Sequence, residues 1–162
     1  MRAFLGTLYR LIPRPITRAL LWAVNAKFNF GAVGLFLTAD HRLLVLKHVY
    51  RHTYPWGLPG GYLKRGETAE AGILRELAEE TGFTATIERV LSVEDVDAYQ
   101  REAVFVGRID PAQSPRLNHE IFEIAFVELD QLPTGMLPRH AALAKRLQTS
   151  GPLKDGPPFS RG

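Results

Sequence analysis

Gly61-Tyr62-Leu63-Lys64-Arg65-Gly66-Glu67-Thr68-Ala69-Glu70-Ala71-Gly72-Ile73-Leu74-Arg75-Glu76-Leu77-Ala78-Glu79-Glu80-Thr81-Gly82-Phe83 reads as a glycine-rich turn feeding a helix. Thr68 or Glu67 can cap that helix, the pattern predicts it from about Ala69 to Thr81, and Gly82 ends it. Ala71, Leu74, Leu77, Ala78 and Thr81 form the expected buried stripe, with Glu76, Glu79 and Glu80 roughly opposite, so that core and chemistry use different faces. At about 100° per residue, positions i, i+3 and i+4 lie side by side, and the three carboxylates repel at a cost of about 0.2–0.5 kcal/mol per pair. A cation turns that cost into affinity. Carboxylate oxygens without His or Cys suit Mg2+ or Mn2+, which keep several waters and accept further ligands from substrate phosphates.

Upstream, residues 28–38 and 43–47 are β-rich runs joined across Ala39-Asp40-His41, a hairpin by pattern. Residues 54–66, with two prolines and four glycines, read as a loop. Downstream, residues 84–94, 102–109 and 121–128 read as strands and 139–147 as a C-terminal helix. Strands and helices mixed without a βαβαβ rhythm argue for the α+β class. The expected organisation is an N-terminal helical extension over residues 1–27, one catalytic domain over 28–150 and a flexible tail over 151–162.

The spacing within the opening stretch is Gly61, five residues, Glu67, seven residues, Arg75-Glu76-Leu77, one residue, Glu79-Glu80, one residue, Gly82 and a hydrophobe. It resembles the Nudix box at every motif position, with Phe83 standing where an aliphatic residue is more common. A looser resemblance runs from about residue 30 to residue 133. It implies a Nudix-type α/β/α sandwich around a mixed β-sheet and a pyrophosphohydrolase that uses Mg2+ or Mn2+. The implied metal ligands are Glu76, Glu79, Glu80 and the backbone carbonyl of Gly61. Glicine there also has a steric reason, since backbone approaches metal and phosphate closely where Cβ is absent. The resemblance gives Glu67 and Arg75 a structural part as a salt bridge fixing the loop against the helix. Family members draw the general base either from a glutamate of the box, here Glu76 or Glu79, or from an acid further along the chain. Glu120 and Glu123 lie in that later stretch; Glu120 sits at the mouth of a predicted strand, and strand alternation turns Glu123 away from it.

The box defines a reaction and leaves the leaving group open. The expected reaction converts a nucleoside diphosphate linked to a moiety X into a nucleoside monophosphate and phospho-X. Nucleotide sugars, ADP-ribose-like compounds, dinucleoside polyphosphates and damaged nucleoside triphosphates all fit. Tyr99, sixteen positions after Phe83, falls about where members acting on dinucleoside polyphosphates carry a base-stacking Tyr. The Pro that marks ADP-ribose hydrolases at a similar spacing is absent. Arg51 and Lys64, with Lys47 and Arg65, surround the expected phosphate site, and solvated surface charge is their ordinary alternative. Trp56 can stack on a base, although the matching aromatic in the family mostly supports the loop. The five histidines read as surface or satisfied core residues, including the His48/His52 pair, which falls on a predicted strand-to-loop stretch. A nucleotide-sensing module without catalysis and an RNA-end pyrophosphohydrolase are the alternatives; the first would show degenerate box acids and the second a basic groove.

Composition bounds the rest. The 162 residues are 46% hydrophobic and 23% charged, which suits one domain with a full core. The absence of Cys excludes disulfides, thiolate catalysis and Zn-thiolate sites and permits a reducing compartment, so the cytoplasm is expected. The net charge of +3 is unevenly placed, because the first 39 residues hold Arg2, Arg10, Arg14, Arg18 and Lys27 and no acid. That start is apolar as well as basic, and Pro13 and Pro15 interrupt it. Packing on the core or on a second subunit, giving a homodimer, is the favoured expectation; a membrane-surface helix or a targeting segment is the alternative. Nucleic acid is not an expected partner.

Overall fold

In two strands the apolar residues run on both faces of a sheet. A computed structural model describes residues 13–25 and 27–149. In β1 (Asn29–Leu37) and β2 (Leu43–His48), Ala32, Phe36, Leu44 and Leu46 join one core, while Val33, Leu35, Leu37, Leu43 and Val45 join a second. Strands buried on both faces need a layer on each side. The helix α2 (Ala69–Thr81) supplies one through Ile73 and Leu77. The helix α3 (Pro138–Thr149) supplies the other through Leu143, Ala144 and Leu147.

The remaining strands are β3 (Trp56–Gly57), β4 (Gly60–Tyr62), β5 (Ala85–Asp95), β6 (Gln100–Ile109) and β7 (Ile121–Val127). They complete a seven-stranded sheet of order β3-β2-β1-β6-β5, with β4 paired to β1 and β7 to β2. β1 and β6 run parallel from Asn29↔Gln100 to Leu37↔Arg108, and the other pairings are antiparallel. The result is the expected α/β/α sandwich around a mixed sheet.

Two expectations are corrected. The stretch 54–66, read as a loop, contains β3 and β4. Gly60 and Gly61 pair with Val33 and Ala32, and a Cβ on Gly60 would stand 2.6 Å from the Ala32 carbonyl oxygen. Glycines that signal a turn locally serve here for close backbone approach. The buried stripe of α2 is also different: Gly72, Ile73, Leu77, Glu80 and Thr81 are buried, whereas Ala71 and Ala78 are exposed. Alanine identity does not fix which side of a helix faces inward, and the stripe at 73, 77 and 80 carries Glu80 into the interior.

Ahead of the sheet, α1 (Arg14–Val24) buries none of its residues, so the described part of the extension is not packed into the core. The expectations for residues 1–12 and for the tail 151–162 fall outside the described residues.

Candidate active site

The side chains of α2 are set by its two ends. Thr68 accepts a hydrogen bond from the Ala71 amide at 3.2 Å, and Gly82, at φ 74°, closes the last turn through Ala78. Beyond that cap the chain 111–120 returns to the helix end. Arg116 N–H donates to the Thr81 carbonyl at 2.7 Å and Asn118 N–H to the Glu80 carbonyl at 3.3 Å, which satisfies carbonyls that a helix leaves without intrahelical partners. Asn118 Oδ1 then accepts from the amides of Glu120 and Ile121. The loop therefore delivers Glu120 to the C-terminal end of α2.

Glu76, Glu80, Glu120, Gly60 and Gly61 line one pocket of about 410 Å³ together with Arg51. The backbone of Gly61 lies so close to the Glu76 carboxylate that a Cβ there would meet its Oε1 at 2.5 Å. Glu80 is 3% exposed, and its Oε2 has no hydrogen-bond partner. Burial first, and then the neighbouring charge of Glu76, push the Glu80 carboxyl up to about 8 against the pull of the Gly60 amide and Arg51. Arg51 Nη1 is likewise buried without a partner.

Glu79 is placed differently. It does not line the pocket; Lys64 holds its Oε1 at 3.0 Å and Arg75 its Oε2 at 3.0 Å, and the Lys64 hydrogen bond is the main reason its carboxyl lies below the usual range. Successive residues of a helix diverge by about 100°, so Glu79 and Glu80 cannot share one direction. Arg75 also grips both oxygens of Glu67, at 2.8 and 3.0 Å, and Glu76 Oε1 at 2.8 Å. Those bonds, with the Lys64 amide, hold the Glu67 carboxyl down to about 2.

Other candidates stand outside the pocket. Trp56 packs on the core around α3, Tyr99 is 74% exposed in the turn before β6, and Lys64 is engaged with Glu79. Glu123 faces Lys47 across the β2/β7 pair at 3.3 Å. His140, by contrast, is buried on the pocket wall, where its Nδ1 accepts the Leu58 amide at 2.9 Å. Sequence reasoning missed Glu102 and Arg139, which form an ion pair on the pocket wall between a buried carboxylate and a half-buried guanidinium. A Cβ on Gly31 would touch both the Gly61 carbonyl oxygen, at 3.1 Å, and Glu102 Oε1, at 3.5 Å, so Glu102 stands near that carbonyl. Its one local signal was an acid directly ahead of the apolar run Ala103-Val104-Phe105-Val106.

The donor set fits a hard divalent cation. It offers oxygen ligands from Glu76, Glu80 and the Gly61 carbonyl, one of them an orphaned buried carboxylate oxygen, and two adjacent acids whose repulsion a cation relieves. Among the described residues no three His, Asp or Glu side chains form a finished metal cluster. Partial coordination of this kind is what Mg2+ tolerates, since water and phosphate complete its shell.

Comparison with known proteins places the chain among the enzymes acting on phosphorus-containing anhydrides. The family model described as NUDIX domain matches residues 29–147, and the chain belongs to that family. It is 33% identical over 113 residues to a Bacillus subtilis (strain 168) protein provisionally named an 8-oxo-dGTP diphosphatase, covering 68% of this chain and 74% of that one. It is 35% identical over 66 residues to an ADP-ribose pyrophosphatase of Methanocaldococcus jannaschii, covering 38% of this chain and 37% of the relative. The fold matches a NUDIX hydrolase from Nitrosomonas europaea with a TM-score of 0.69 at 17% identity, over 78% of this chain and 73% of that one.

Proposed function

We propose that the protein is a Mg2+- or Mn2+-dependent pyrophosphohydrolase that cleaves a nucleoside diphosphate linked to a moiety X into nucleoside monophosphate and phospho-X. The observation that carries this reading is the buried, unpartnered Glu80 Oε2 beside Glu76 and the Gly61 backbone. Glu76, Glu80 and the Gly61 carbonyl hold the cation. When bound, it neutralises phosphate charge and stabilises the bridging oxygen as it leaves. Arg51, with a buried N–H lacking any partner, binds a phosphate oxygen and orients the substrate. Glu120, half-exposed at the pocket, takes the proton of the attacking water. Glu79, held outside the pocket by Lys64 and Arg75, would serve as a further ligand only if those bonds exchanged. Glu67, through Arg75, fixes the orientation of Glu76. The cytoplasm is the proposed location.

The relatives' names span a damaged nucleoside triphosphate and ADP-ribose, and the anhydride is what those substrates share. Chromatographic product analysis over ADP-ribose, nucleotide sugars, dinucleoside polyphosphates, CDP-alcohols and nucleoside triphosphates, with Mg2+, Mn2+ or chelator, tests the proposal. Cleavage of one class that stops with chelator supports it and identifies X. Nucleotide binding without turnover across the panel would replace it with a sensing module.

A further inference from the structure

The helix α1 lies ahead of the matched family domain and takes no part in the pocket. Its large apolar residues are all in solvent: Ile16 is 55% exposed, Leu20 66%, Leu21 50%, Trp22 71% and Val24 74%. On a helix, Ile16, Leu20 and Val24 follow one another at i, i+4 and i+8 and make a continuous stripe, with Ala19 and Ala23 widening it. Arg14 and Arg18, also four apart, occupy the opposite side, and Leu21 and Trp22 flank them. At the helix end Lys27 Nζ lies 4.4 Å from the centre of the Trp22 ring and 3.2 Å from the Asn25 carbonyl oxygen.

We propose that α1 is a docking element for an anionic lipid surface. An apolar stripe, a cationic opposite face and a Trp at the boundary are what a helix lying in the membrane interface requires. Charge decides the occupant. The first 39 residues carry five Lys or Arg and no Asp or Glu, so a second copy of this helix meets repulsion with no acid to neutralise it, whereas anionic headgroups supply the missing charge. Length argues the same way, because eleven residues fall short of the several heptads that a coiled-coil partner needs. Among the described residues no helix is long and apolar enough to cross a membrane, so α1 lies on the surface.

The test is co-sedimentation of the full chain with phosphatidylcholine vesicles, with and without about a quarter phosphatidylglycerol. Binding at least about tenfold stronger to the anionic vesicles, weakened by added salt, is expected. Arg14→Glu/Arg18→Glu and Leu20→Glu/Val24→Glu should each reduce that binding at least about tenfold while hydrolysis of a soluble substrate is unchanged. Equal binding to both vesicle types, or none, overturns the proposal. So does a homodimer that Leu20→Glu/Val24→Glu dissociates while the parent ignores lipid.

Discussion

Arg75 reaches five acceptors: both oxygens of Glu67, the Tyr62 carbonyl, Glu76 Oε1 and Glu79 Oε2. Guanidinium has five N–H donors in a rigid fork, so no lysine could reproduce this arrangement. Glu80, one residue beyond Glu79, has the opposite circumstance, an oxygen with no partner and a position inside the fold. Glu80→Gln or Glu76→Gln is therefore expected to reduce metal-dependent turnover at least about a hundredfold. The Glu80→Gln melting temperature without metal should not fall, since burial and the Glu76 charge already disfavour the carboxylate form there. Glu79→Gln, removed from the pocket wall, should cost less turnover than either. Near-parental turnover for Glu80→Gln would take that residue out of the site. A further substitution, Gly61→Ala, would drive a methyl to within 2.5 Å of the Glu76 carboxylate. Weaker Mn2+ binding by titration, with the fold retained by circular dichroism, is expected; unchanged Mn2+ affinity would show that the Gly61 backbone is not part of the cation site.

At the scale of elements, the site depends on a helix end meeting a loop some forty residues later. Asn118 is the joint, because its backbone bonds to α2 while its side chain turns the chain into β7. Asn118→Ala removes two side-chain acceptances and should lower stability by about 1–2 kcal/mol, read from a urea midpoint. It should also lower kcat, since Glu120 loses its placement. Lost stability with unaltered kcat would separate Glu120 from the reaction. The sequence made α2 legible to the residue, because capping Thr68 and terminating Gly82 are local signals. It also placed Glu120 at the mouth of a strand. What it could not supply was pairing between distant segments: β4 exists because Gly60 and Gly61 lie against β1, and Glu102 meets Arg139 across thirty-seven residues of chain. The inward turn of Glu80 was hidden for a related reason, since Ala71 and Ala78 suit either face of a helix and tertiary packing chose the other one.

For the molecule as a whole, the pocket wall and the second helical layer are tied through His140. Its Nδ1 accepts the Leu58 amide, which requires that nitrogen to be unprotonated. Burial lowers its pKa to about 3, and the positive charges of Arg139 and Arg51 and the neighbouring His48 push the same way. His48 is lowered to about 4 by burial and Arg51. In the unfolded chain both rings take a proton near 6.5, a pH at which the folded protein leaves them neutral. Stability from His140 is thus fully present above about pH 6.5 and falls as pH drops toward 3, by about 1.4 kcal/mol per unit and about 2 kcal/mol by pH 5. Glu67, held at about 2, adds its loss in the same acid direction once pH falls below its unfolded value. Glu80, raised to about 8, holds its proton in the fold over the same interval and opposes that loss, so the His140 contribution is read as the difference between the urea midpoints of the parent and His140→Gln from pH 7.5 to pH 5. His140→Gln can still accept from the Leu58 amide and cannot titrate, so the parental midpoint should fall relative to that of the variant over that interval. A parent and a His140→Gln variant whose midpoints changed equally between those pH values would mean that His140 gains its proton without leaving the fold, and that Leu58 is held by something other than this bond.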